Sequence, residues 1–171
     1  MYERPGVRRP DNQVQTRWIA CRRKLVASVR RWGVRSRLIS RCSRLSAFTE
    51  FDYKLIARLV ESVGRLIASP NLLTEVSNLA GKLGEDVMPV FFAKFADKLR
   101  IIDEDYIEGL LASKDESFTR LGLTDATIIM TALARKCIVL TADFALYRVL
   151  WSRGAEALNF NHTRQYAGEF R

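Results

Sequence analysis

Leu121-Gly-Leu-Thr-Asp-Ala-Thr-Ile-Ile-Met130, followed after a short break by Cys137-Ile-Val-Leu-Thr-Ala-Asp143, decides the fold of this chain. In the first half Thr124 is a natural cap, Asp125 follows it, and an apolar run at helical spacing comes next. In the second half a β-branched and leucine run ends in Thr141-Ala-Asp143, a strand that delivers a carboxylate at its carboxyl end. Ligand sites in open α/β sheets lie outside those strand ends. Two acids, one from a helix start and one from a strand end, are placed to meet there.

Upstream, Thr49-Glu-Phe-Asp52 has the form of a capping box, and Tyr53, Ile56, Ala57, Val60 and Val63 recur at helical spacing up to Gly64. Leu66-Ile-Ala68 predicts a short buried strand, and Pro70 suits the first turn of a helix. That helix turns Leu72, Leu73, Val76, Leu79 and Ala80 inward and ends at Gly81 to Gly84. Pro89–Leu99 predicts another amphipathic helix with Val90, Phe91, Phe92, Phe95, Ala96 and Leu99 inward. Ile101-Ile102 then reads as a strand, Glu104–Ala112 as a short helix and Lys114–Ser117 as a loop. Downstream, Phe144–Trp151 predicts a helix stopped by Gly154, and Ala157–Phe160 a last strand. Strands that alternate with helices imply an α/β fold with a parallel sheet covered on both faces.

The net charge of +9 is unevenly placed. Residues 1–44 hold 13 Lys and Arg against 2 acids, or +11, and residues 45–171 hold 15 against 17, or −2. A basic arm, residues 1–37, thus precedes a slightly acidic domain, residues 38–171. Within the arm, Trp18 to Trp32 mixes apolar and basic residues without choosing between helix and strand. A solvated charged face, contact with nucleic-acid phosphates and contact with an anionic membrane surface all suit such a stretch. Three separated cysteines, Cys21, Cys42 and Cys137, offer no disulfide framework and no paired metal ligands. No apolar run nears the roughly 20 residues of a membrane span. A cytoplasmic location is the default expectation.

Three carboxylates stand out by position. Glu75 lies three residues before Asn78 on the same helix face, Asp125 opens a helix, and Asp143 ends a strand with Thr141 beside it. Clustered acids repel unless a cation neutralises them. Hard oxygen donors suit Mg2+ or Mn2+, which keep waters and share the rest of their shell with phosphate oxygens. The remaining groups read more plainly. His162 belongs at the surface, Cys137 is a small buried hydrophobe, and Tyr147, Trp151 and the Phe91, Phe92, Phe95 group are core.

The order of these motifs resembles the PIN domain, a metal-dependent nuclease fold that includes bacterial VapC-type toxins. The matching stretches are Thr74-Glu-Val-Ser-Asn78, Gly122-Leu-Thr-Asp-Ala126, Thr141-Ala-Asp143 and Asn159-Phe-Asn161, spread over roughly residues 38–164. The resemblance implies a three-layer α/β/α fold and Mg2+- or Mn2+-assisted hydrolysis of RNA phosphodiesters. It makes Glu75, Asp125 and Asp143 the metal-binding catalytic acids, with Thr141 supporting them and Asn78 at the substrate rim. It also implies RNA, an antitoxin-like protein and a second copy of the chain as partners.

One family feature is missing. PIN domains open with an apolar strand ending in an acidic ligand, and nothing of that kind precedes Leu38; Asp11 follows Pro10 and no strand. Ala20-Cys-Arg-Arg-Lys-Leu25 occupies the expected place. Codons such as TGC-CGA-CGC-AAA, shifted by one base, read Ala-Asp-Ala-Asn, so residues before Leu38 fit an out-of-frame translation. The competing account is a genuine nucleic-acid-binding arm. Either way the enzyme is expected to be crippled by loss of its first acid. The alternative is a catalytically inactive PIN-fold module that binds RNA or an antitoxin-like partner.

Overall fold

The computed structural model describes residues 49–61, 65–81 and 84–169. The basic arm, Asp11, Cys21, Cys42 and the Gly64 helix stop all lie outside those residues. Eight helices and four strands are described, in the order α1 (Glu50–Glu61), β1 (Leu66–Ala68), α2 (Pro70–Ala80), α3 (Met88–Leu99), β2 (Ile102–Glu104), α4 (Gly109–Ala112), α5 (Phe118–Leu121), α6 (Leu123–Arg135), β3 (Val139–Thr141), α7 (Phe144–Ser152), β4 (Ala157–Asn159) and α8 (Phe160–Glu169). No described helix is long and apolar enough to cross a membrane.

The first helix starts as its capping box dictates. Thr49 donates its backbone N–H to Asp52 Oδ2 at 2.8 Å, and Asp52 N–H donates back to Thr49 Oγ1 at 3.2 Å. Pro70 opens α2, and Ser69 Oγ accepts from Leu72 N–H at 3.3 Å. The expected helix over Glu104–Ala112 is shorter than its spacing suggested. Asp105 instead donates its N–H to Ala68 O at 3.0 Å, which prolongs the strand ladder, and its carboxylate accepts from Arg135 Nε at 3.1 Å. Helix α4 therefore begins only at Gly109.

All pairing is parallel. Leu66, Ile67 and Ala68 face Ile102, Asp103 and Glu104, while Val139, Leu140 and Thr141 face Ala157, Leu158 and Asn159. The strands form two separate pairs, β1–β2 and β3–β4. Two apolar clusters flank them. One gathers Ile56, Val76, Phe91, Phe95, Leu140 and Phe160, with Leu66 packed against it. The other gathers Ile67, Leu72, Ile128, Ile129, Val139, Leu146 and Leu150. Successive strand residues point to opposite faces. Leu66 and Leu140 thus serve one cluster, and Ile67 and Val139 the other.

The ladders also fix which backbone groups remain. Ala68 O is given to Asp105, and Val139 N–H to Glu156 O, so these residues face their own mates. In a parallel strand the next residue faces the opposite edge. The peptide groups of Ile67 and Leu140, both buried, therefore point away from β2 and β4. Among the described residues no strand pairs with those two edges.

Several side chains depart from their expected places. Val90 and Ala96 are exposed, and Trp151 is 72% exposed rather than core. They lie on the outer flanks of α3 and α7, whose inner faces are filled by Phe91 and Phe95 and by Leu146, Val149 and Leu150. Phe92 and Tyr147 are half-buried. Cys137 is buried as expected, and that burial pushes its thiol up to about 12, leaving it unreactive at neutral pH.

Candidate functional site

Polar residues are rare in this interior, and most of them stand just past a strand or at a helix start. Ser69 follows β1, Thr141 ends β3 and Asn159 ends β4, all buried. Asp125 and Thr127, in the first turns of α6, are 0% exposed. A sequence that buries polar groups is spending free energy unless they are bonded or functional. Their grouping at strand ends makes this the candidate site.

The residues fall into two groups. On the β1 side, Thr127 Oγ1 donates to Thr124 O at 2.7 Å, and a hydroxyl–hydroxyl hydrogen bond of 3.3 Å joins it to Ser69 Oγ. This bond fastens the start of α6 to the end of β1. The helix does not start on Thr124, as its composition suggested. Gly122, at φ 85°, closes α5 through its N–H to Phe118 O at 2.8 Å, and its own carbonyl then accepts Ala126 N–H at 3.1 Å. A left-handed residue lets one position end one helix and open the next, and glycine takes that shape without Cβ strain. Asp125 is thereby the third helical residue, where the helix N-terminus favours an anion.

On the β3 side, the contacts stay within the β3–β4 pair and the helix starts that follow its strands. Asp143 N–H donates to Thr141 Oγ1 at 3.0 Å, and Asp143 Oδ1 accepts from Ala145 N–H at 2.8 Å and Leu146 N–H at 3.2 Å. Asp143 is thus the N-cap of α7, with one carboxylate oxygen committed to the backbone. Thr141 sits beside Asn159 in register. Asn159 Oδ1 accepts from Asn161 N–H at 2.9 Å, and Asn161 Nδ2 donates to Ala142 O at 3.2 Å. Asn159 Nδ2 is buried and makes no hydrogen bond among the described residues.

Glu75 is half-buried in the second turn of α2, and Asn78 is exposed one turn further on. Asp125 lies fully buried in the first turn of α6, and Asp143 caps α7. Among the described residues no group of three or more His, Cys, Asp or Glu is placed to hold a metal ion. Ser69 and Thr127 were given no role from sequence, and Asn159 entered only as part of the matching stretch Asn159-Phe-Asn161. The usable signal was a polar residue at the carboxyl end of a short apolar run, which Ser69 and Asn159 both satisfy.

Comparison with known proteins adds no name to this geometry: no family model, no curated protein and no solved structure matches the chain.

Proposed function

We propose that this chain is a PIN-type ribonuclease of the bacterial toxin class, dependent on Mg2+ or Mn2+ and weakened by an incomplete acid set. The supporting observation is the polar cluster at the carboxyl ends of parallel strands, with Asp125 buried at a helix start and Asp143 directly after β3. The two apolar clusters on opposite faces of β1 and β3 agree with a three-layer α/β/α arrangement.

A divalent ion, when bound, would supply a water of lowered pKa and charge neutralisation at the phosphate. The chain's own residues supply position. The amides of Ala145 and Leu146 hold the Asp143 carboxylate in one orientation, and Thr141 Oγ1 accepts the Asp143 backbone N–H. The free Nδ2 of Asn159 offers a donor to an acceptor oxygen, since a buried unsatisfied amide costs about 1–3 kcal/mol. Burial of Thr127 and Ser69 keeps the Asp125 turn fixed.

A second reading, a catalytically inactive PIN-fold module that binds RNA or an antitoxin-like protein, is favoured by the lack of a three-ligand group among the described residues. One experiment separates them. Labelled single-stranded RNA is incubated with the full chain over a Mn2+ series, beside Asp125→Asn and with calorimetry of Mn2+ binding. Cleavage that rises with Mn2+ and falls at least 100-fold (about 2.7 kcal/mol) in Asp125→Asn is the expected result. Absence of both cleavage and Mn2+ binding, with RNA still retained, establishes the inactive module.

A further inference from the structure

The helix that Asp143 caps carries an unusual outer face. Phe144, Tyr147, Arg148 and Trp151 recur at positions one turn apart, so they share one side of α7. Phe144 is 56% and Trp151 72% exposed, although large aromatics normally seek cover. With Arg120 they line an open groove of about 630 Å³. Phe144 and Tyr147 lie 6.3 Å apart with rings tilted by 31°, and the ring of His162 braces Tyr147 edge-on at 5.8 Å. Arg120 and Arg148 are exposed, and neither has an acid partner among the described residues.

We propose that this groove binds a short stretch of single-stranded RNA, with bases stacked on Phe144 and Trp151 and phosphates held by Arg120 and Arg148. The inference rests on the ribonuclease reading for its choice of nucleic acid. Bases stack on exposed aromatic faces regardless of sequence, while cations track the backbone. From Phe144 to Trp151 the helix rises about 10 Å, the length of roughly three stacked nucleotides. Phe144 directly follows Asp143, so the bound strand leads to the candidate site.

The test uses the full chain in EDTA, where binding is read without cleavage. With Trp18 and Trp32 changed to Phe, Trp151 alone reports by fluorescence. A 12-nucleotide oligouridine quenches Trp151, and an RNA duplex of equal charge does not. Phe144→Ala and Arg148→Glu each weaken oligouridine binding about tenfold, and Arg148→Glu also flattens the salt dependence. Melting temperatures and mass by light scattering accompany each variant, and Arg148→Lys restores most of the affinity.

If the wild type binds oligouridine while neither Phe144→Ala nor Arg148→Glu changes its affinity, the groove is the wrong place although the ribonuclease reading stands. If the wild type neither binds nor cleaves RNA, that reading itself fails. If Phe144→Ala instead converts a dimer to a monomer with RNA affinity unchanged, the face joins protein copies and the proposal is overturned.

Discussion

The two parallel pairs are built on opposite principles. In the β3–β4 half a single helix, α7, makes the crossover, and the strand ends are tied by bonds inside the pair, two of them between residues two apart (Thr141 with Asp143, Asn159 with Asn161) and one from Asn161 to Ala142. In the β1–β2 half the crossover needs two helices, and the ties come from far along the chain. Ser69 meets Thr127, Asp105 meets Arg135, and Asp103 meets Arg65. Local bonds cost little chain entropy, whereas distant ones must first close long loops. The β3–β4 half therefore sets its site geometry by itself, and the β1–β2 half borrows its geometry from α6.

The most severe way to break that contrast is through the shared core. Leu150 is fully buried in the cluster that serves both halves. Leu150→Ala should cost about 3 kcal/mol, read as a lower urea midpoint with one transition. Separate transitions for the two halves would show that the cluster does not couple them.

A smaller effect is expected at Asp115, which joins the turn before α5 to the end of α7. Its carboxylate accepts from Arg153 Nη1 at 2.8 and 2.9 Å and from the Ser117 amide at 2.9 Å, with its side chain 6% exposed. Burial pushes this carboxyl up, but the hydrogen bonds from Ser117 and Arg153 together outweigh it and hold the group below the usual carboxylate range. Asp115→Ala should cost about 2 kcal/mol. Because the folded pKa lies below the unfolded one, the stabilisation is complete above about pH 4 and drains as the pH falls through the folded value. Wild type and variant should converge in acid, and a gap that instead closed between pH 7 and 5 would refute the assignment.

The smallest effect sharpens the comparison at the site. Asp143→Ala removes the α7 cap and should cost about 1 kcal/mol, while Asp143→Asn keeps a capping oxygen and most of the stability. If Asp143→Asn retains its melting temperature but loses Mn2+-dependent cleavage, the charge matters beyond the cap.

Much of this arrangement was legible in the residues, unevenly. The strand Leu66–Ala68 and the α2 start at Pro70 followed from local chemistry: a short apolar run, a proline and the spacing of Leu72, Val76 and Ala80. The capping box at Thr49 was equally plain. Helix α8 was not foreseen, because it starts directly on the last strand residue and buries Phe160 while the rest of its length is largely polar. Helix α5 was missed because four residues carry no period. Trp151 was misjudged since size favours burial, but α7 had already filled its inner face with Leu146, Val149 and Leu150. The positions of Asp125 and Asp143 in their elements were readable, Asp143 at the close of a strand and Asp125 at the opening of a helix. The bond from Thr127 to Ser69 was not, because it depends on how elements far apart in the chain lie in space.

The outward-facing peptide groups of Ile67 and Leu140 turn the contrast between the two pairs into something a deuterium label can time. Both lie in three-residue strands whose neighbouring amides are locked into ladders. Were another strand to join either edge, its newly bonded amide would trade hydrogen with solvent only when the whole domain unfolds. An edge left open would surrender its hydrogen far sooner than the residues on either side of it, and the two clocks can be read residue by residue.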